Sequence, residues 1–326
     1  MQRLLSTKPV RISVLLTAVF LSATLQASAQ QGGAEQSVMA RLAPRSLLLD
    51  AVAIDGLAVV VGERGHILRS EDGGESWQQA AVPTRATLTS VHFYDRQLGW
   101  AVGHDQVILR TRDGGRSWQL LFAAPELESP LLDIWFADPF HGFAVGAYGR
   151  LLETLDGGDS WNARRLGEDD FHLNQIVDTG ERLYLAAEAG AAYRSDDGGA
   201  TWEFLETPYE GSFFGALPLE SDSLLLFGLR GHLFRSDDGG ERWTELASGT
   251  NATLTGGLRL ADGRIVVGGL AGVLLVSEDG GYTFASYQLE DRQGLAALIQ
   301  VADGTVLGFG ESGVRKLLLP TPSARQ

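Results

Sequence analysis

The stretch Ser70-Glu71-Asp72-Gly73-Gly74-Glu75-Ser76-Trp77 decides the architecture, because it recurs. Segments of the form Ser/Thr-x-Asp-Gly-Gly-x-x-Trp/Phe stand again at Thr111 to Trp118, Thr154 to Trp161, Ser195 to Trp202, Ser236 to Trp243 and Ser277 to Phe284. Their aspartates, Asp72, Asp113, Asp156, Asp197, Asp238 and Asp279, are 41 to 43 residues apart. A period of that length carrying several short strands predicts an all-β, seven-bladed β-propeller with one four-stranded antiparallel blade per repeat. Paired glycines supply the positive φ of a tight hairpin, while the Asp carboxylate and Ser/Thr hydroxyl accept hydrogen bonds from turn N–H groups. The closing aromatics Trp77, Trp118, Trp161, Trp202, Trp243 and Phe284 tuck beneath the hairpins, each burial contributing about 1.5–3 kcal/mol. A turn role explains all six aspartates at once, whereas a catalyst needs one or two, so this set is read as structural.

Around the first motif the unit reads as four strands. Leu48 to Ile54 is an apolar run, Asp55-Gly56 a turn, Leu57 to Val61 a β-branched run and Gly62-Glu63-Arg64-Gly65 a second turn. His66 to Ser70 and Ser76 to Val82 flank the Asp-Gly-Gly hairpin, and Pro83 ends the unit. The seventh unit repeats the first three strands at Gly294 to Val301, Thr305 to Gly310 and Val314 to Leu319, then stops without a hairpin. At the other end, Ser37-Val38-Met39-Ala40-Arg41-Leu42-Ala43-Pro44 aligns without gaps to Ser76 through Pro83. The N-terminal strand is therefore expected to complete the last blade and close the ring.

Composition narrows the function. Of 326 residues, 44% are hydrophobic and 41 are glycine, a globular composition. The net charge of −15 opposes nucleic-acid binding. With no cysteine there is neither a disulfide nor a thiolate metal site. Residues 1–29 carry Arg3, Lys8 and Arg11, an apolar stretch from Ile12 to Leu25 and Ala27-Ser28-Ala29, the layout of a cleavable signal peptide. The expected organisation is a signal peptide at 1–29, the propeller at 30–320 and a C-terminal tail at 321–326, with the mature protein periplasmic or extracellular and not inserted in the membrane.

The regular hairpins, the secretory signal, the blade length of about 41 residues and the Gly-x-x-Gly turns resemble the Asp-box (BNR-repeat) propellers, and among them the photosystem II assembly and stability factor family. The resemblance covers roughly residues 36–320. It implies a seven-bladed, non-catalytic interaction scaffold that helps a membrane protein complex assemble on its periplasmic side, an RND-type transporter being one such partner. The arginine-rich patch of the photosynthetic members has no counterpart here as a cluster in sequence.

In a propeller the loops between strands two and three and those between successive blades share one face, opposite the hairpins. That loop face is read as the partner surface, with Arg45, Arg64, Arg85, His104, Tyr148, Tyr209, Arg230 and Arg292 as its candidate residues. The charges divide it, since Arg45, Arg64 and Arg85 belong to the first two blades and Glu126, Glu128, Asp169, Asp170 and Glu210 to blades three to five. On the innermost strands Asp50, Ser90, Asp133, Asn174 and Thr255 fall at or near one position and would form a polar ring in the channel. No cofactor and no metal are expected, and the six histidines are scattered over the repeats, His66 and His232 reading as surface strand residues. The alternatives are a sialidase-like glycoside hydrolase or a glycan-binding propeller. An acidic pair, or a tyrosine with an arginine cluster, would carry hydrolysis. The blades are short and lack the insertions that build deep pockets.

Overall fold

The computed structural model describes residues 35–320, so the expected signal peptide and C-terminal tail lie outside the described residues. Seven antiparallel sheets follow one another in chain order, with strands adjacent in sequence adjacent in each sheet. Blade one consists of Leu48–Ile54, Leu57–Gly62, Ile67–Ser70 and Gln78–Gln79. Its first strand neighbours the first strands of blades two and seven, so the first strands form the inner wall of the ring. The second strands are buried along their whole length, as strands covered on both faces should be. Fourth strands are shorter than the sequence suggests: only Gln78 and Gln79 pair with the third strand of blade one.

Burial is distributed by seam. Seven hydrophobic clusters each join two neighbouring blades, such as Val59, Val61 and Ile67 of blade one with Val91, Phe93 and Leu109 of blade two. A blade thus has no core of its own and is stable only between neighbours.

The hairpins are built as expected. In the first, Gly74 N–H donates to Ser70 Oγ (2.9 Å), and Ser70 Oγ donates to Asp72 Oδ1 (2.7 Å). Ser76 N–H and Oγ donate to the two oxygens of Asp72 at 3.0 and 2.5 Å. Gly73 and Gly74 take φ of 72° and 85°, which disfavours any side chain. Trp77 folds back so that Nε1 donates to Gly74 O (3.1 Å), and its ring meets Phe309 edge-on.

A further bond ties four of the six hairpins to the blade before them. Arg69 Nε donates to Gly114 O, and Arg110, Arg194 and Arg235 donate through Nη1 to the carbonyls of Gly157, Gly239 and Gly280, at 2.7 to 3.1 Å. Trp100 and Tyr184 reinforce two of these acceptors. The arginines stand in the text as Arg-Ser/Thr directly before the motif, a regularity the sequence reading did not use.

The ring closes at its N-terminal segment, by other means than the alignment implies. Ala43 is fully buried in the cluster shared by blades seven and one, and Pro44 O accepts from Val314 N–H (2.9 Å). Residues 36–40, however, run along the outside of blade one. Ser37 N–H donates to Val82 O (2.8 Å), and the Gln79 amide bonds Ala40 N–H and Val38 O. The sheet of blade seven accordingly holds three strands, Leu295–Gln300, Val306–Gly310 and Arg315–Leu317.

Replacing Arg110 by Leu removes a buried charged donor and strands its partner Asp159 (2.8 Å). Chemical denaturation should show a loss of about 1–3 kcal/mol, whereas exposed Arg165→Leu should stay within about 0.5 kcal/mol of the parent. Equal effects would contradict this role for Arg110.

Candidate functional site

Two regions stand out, the channel wall and the loop face. Near the start of each innermost strand, pairing with the second strand shifts by one residue, as between Leu48 and Asp50 or Leu131 and Asp133, and the bulge re-aims the side chains that follow. The polar ring expected from sequence is there, but it occupies two successive positions. Thr89, Asn174 and Thr255 precede the inward position, and each donates to the first carbonyl of the next blade, at Leu131, Phe213 and Leu295. Asp50, Ser90, Asp133 and Gln175 take the next position. There Asp50 accepts from Val91 N–H, Asp133 from Ile176 N–H and Gln175 from Ala216 N–H, all at 2.8 to 2.9 Å. The ring is a belt of bonds between blades around a cavity of about 270 Å³.

Its most charged part is the pair Asp50 and Asp133, bridged by Ser90. Ser90 Oγ lies 2.9 Å from Asp50 Oδ2 and 2.5 Å from Asp133 Oδ1, and one hydroxyl proton cannot serve two carboxylates. The geometry is satisfied when Asp133 carries a proton and donates to Ser90, which donates to Asp50. Burial, and then the neighbouring Asp50 charge, push Asp133 up to about 7, and burial raises Asp50 as well. Among the described residues no three His, Asp or Glu side chains converge as metal ligands do.

On the loop face the turn between strands two and three places its tip residue in the left-handed region: Arg64, Asp105, Tyr148, Arg230 and Ala271 have φ of 55–57°. Arg64, Tyr148 and Arg230 are therefore equivalent, and all three are exposed. The turn of blade six backs onto Arg292, that of blade seven onto Arg45 and that of blade one onto Arg85. Arg292, Arg45, Arg64 and Arg85 thus follow one another around adjacent blades, an arc that their separation in sequence conceals. Among the described residues the guanidinium groups of Arg45, Arg230 and Arg292 have no partner, while Arg85 is held by Gln36 O and Glu35. Glu126, Glu128, Asp169, Asp170 and Glu210 are exposed on the loops joining blades two to five, so the face is dipolar.

The remaining candidates divide. His104 is exposed. Tyr148 packs edge-on against His172 beside a cleft of about 420 Å³ that also includes Arg150, Arg164, Arg165 and Asp169. Tyr209 is committed to packing: its hydroxyl donates to Leu229 O (3.0 Å) and its ring lies among Phe213, His232 and Phe234. His66 is buried, not a surface residue as the strand pattern suggested, and its Nδ1 faces Ser46 Oγ at 2.9 Å. His232 is half-buried against Glu245. Every hairpin aspartate is occupied, and hydrogen bonds from Ser76 and Ser70 hold Asp72 down at about 2. Thr201 and Ser195 do the same for Asp197.

The pH dependence follows from the channel pair. Asp133 keeps its proton to about pH 7 when folded but releases it near its ordinary 3.8 when unfolded, so its contribution to stability is full below about 4 and lost as pH rises toward 7. Buried His92, lowered by desolvation to about 4, opposes this over the same range, gaining stability as pH rises to its ordinary 6.5. The difference between parent and Asp133→Asn isolates the aspartate. The variant should gain on the parent by on the order of 2–4 kcal/mol between pH 4.5 and pH 7.5 in urea titrations. A pH-independent difference would contradict the shared proton.

The family profile of photosynthesis system II assembly factor YCF48 matches residues 41–127 and 123–267. Among solved structures, YCF48 bound to a D1 peptide is similar at 22% identity and a TM-score of 0.68, over 83% of this chain and 92% of that one. YCF48 from Cyanidioschyzon merolae is similar at 17% identity and 0.67, over 86% and 97%. A streptogramin B lyase shares the fold at 15% identity and 0.74, over 86% and 96%. No curated protein sequence matches. Since the profile spans well over half of the residues, the chain belongs to the photosynthesis system II assembly factor YCF48 family.

Proposed function

We propose that this protein is an exported, non-catalytic accessory scaffold that docks a membrane protein complex through its loop face, on the periplasmic side. The observation that carries the reading is the arc of Arg292, Arg45 and Arg64, exposed on a rigid frame, with Arg45 and Arg292 lacking partners among the described residues. Unpaired guanidinium groups on a fixed surface suit carboxylates of a partner, and in an acidic chain they also set its orientation. Family membership supports an assembly role, and a similar YCF48 is bound to a D1 peptide. An RND-type transporter is our proposed class of partner.

The cleft beside Tyr148 favours a second reading, glycan binding or hydrolysis, because two tyrosines, three arginines, two aspartates and a glutamate line it. Two of those arginines are engaged, Arg150 with Gln106 Oε1 and Arg164 with Glu153.

Cross-linking in intact cells, followed by affinity purification from membranes, separates the two. The parent should recover one membrane protein, and Arg45→Glu/Arg64→Glu/Arg292→Glu should lose it while melting like the parent. Turnover or saturable binding of a glycan with no membrane partner would replace the scaffold reading by the second.

A further inference from the structure

Among the described residues the sheet of blade seven has three strands and no fourth, and its outer edge is displaced as well. Val61 pairs with Ile67 and Val102 with Ile108 across equivalent turns, but Arg315, the match of Ile67, pairs with Gly308 and not with Phe309, the match of Val61. Such a slip turns every side chain of the third strand over. Leu318 shows the result: it stands five residues after the turn glycine, where the other blades bury the hairpin Ser or Thr, and it is 94% exposed. No backbone hydrogen bond links residues 35–42 to Arg315–Leu317, and Val38, Met39 and Leu42 are exposed.

We propose that the outer edge of Arg315–Leu317 is a docking site for an extended acidic segment of a partner protein, which adds as the fourth strand of blade seven. The sister blades define the fit. An unpaired strand edge offers backbone donors and acceptors to another chain, and six of seven sheets here show the added strand in place. In blades two and four that strand supplies Leu121 and Leu205, which press on the second hairpin glycine of the following blade, Gly158 and Gly240. The matching glycine beyond blade seven, Gly74, has Leu307 of the second strand as its nearest neighbour, as Gly115 has Val59 and Gly199 has Phe143. The acidity of the segment follows from the surroundings. Arg41, Arg45 and Arg292 are exposed without hydrogen-bond or ion-pair partners among the described residues, Arg45 lying behind Gly313 and Arg292 next to Asp291, while Arg315 is matched by Asp291 and Lys316 by Glu75 and Asp303. In a chain with 26 cations against 41 acids, this concentration of positive charge selects an acidic partner.

The site deepens the scaffold reading and rests on it, and the test keeps the two apart. A fluorescein-labelled peptide, acetyl-Thr-Val-Glu-Val-Asp-Val-Glu-amide, is titrated with the full chain by anisotropy. Saturable binding is expected, weakened at least about tenfold when alternate backbone nitrogens of the peptide are methylated, since that removes donors and leaves every charge. A variant with the sequence of residues 112–122 inserted after Leu318, giving blade seven a fourth strand in cis, should lose binding to the same extent. Equal affinity for the methylated peptide overturns the proposal, and so does binding seen only after residues 35–42 are deleted, which makes the chain's own segment the occupant. A concentration-dependent dimer that the peptide dissociates overturns it in favour of a second copy. Membrane-partner recovery at the parental level from the inserted variant also overturns it, leaving the arginine face standing. Peptide binding with no membrane partner supports the edge while the scaffold reading fails.

Discussion

The carbonyl oxygen of the first hairpin glycine is the point on which the assembly turns. It is raised by the Asp-Gly-Gly geometry, and at Gly114, Gly157, Gly239 and Gly280 an arginine from the preceding blade donates to it. The staple that shapes the hairpin therefore also presents the acceptor that joins two blades. Without Thr111, Asp113 and the paired glycines Gly114 and Gly115, Trp118 would lose its seat, and Arg69 of the neighbouring sheet would lose its buried partner. Because the hydrophobic clusters lie between blades, these polar contacts fix the angle at which the clusters close.

Much of this was legible in the sequence, because the repeat exposes its own regularities. The hairpins, the strand order and the first strand boundaries of blade one follow from turn chemistry and apolar runs that local sequence encodes. What failed to appear depends on distance. Arg292 and Arg45 are neighbours only because the ring is closed, and no window of sequence contains both. The aspartate ring was seen as one position, since a bulge at Leu48 to Asp50 is invisible until the pairing is known. His66 looked like a surface residue because alternation in a strand says which side faces away, not whether a neighbouring loop covers it. The N-terminal segment matches a fourth strand residue for residue, yet part of it lies against blade one. Several weak polar bonds there compete with a short ladder.

The channel and the loop face divide the labour. On the wall, charged groups are consumed in holding the ring, Asp50 and Asp133 by backbone N–H groups of the following blades. On the face, the tip residues are carried by turns whose backbone is fixed by positive φ and close glycine contacts, so Arg64 and Arg230 vary in side chain without altering the scaffold. Recognition can thus change at positions that carry little of the stability.

The clasps between blades share a rotational sense. Asp50 reaches blade two, Thr89 blade three and Asp133 blade four, while Arg194 reaches blade five, Arg235 blade six and Thr255 blade seven, always forward. Each of blades one to six holds out side chains to its successor and meets its predecessor with backbone groups, like links with a hook and an eye. A copied blade inserted beside its parent would find both, so internal duplication can lengthen such a ring without inventing a new seam. The same arithmetic applies to loss: deleting one whole link brings a hook to an eye of the same kind.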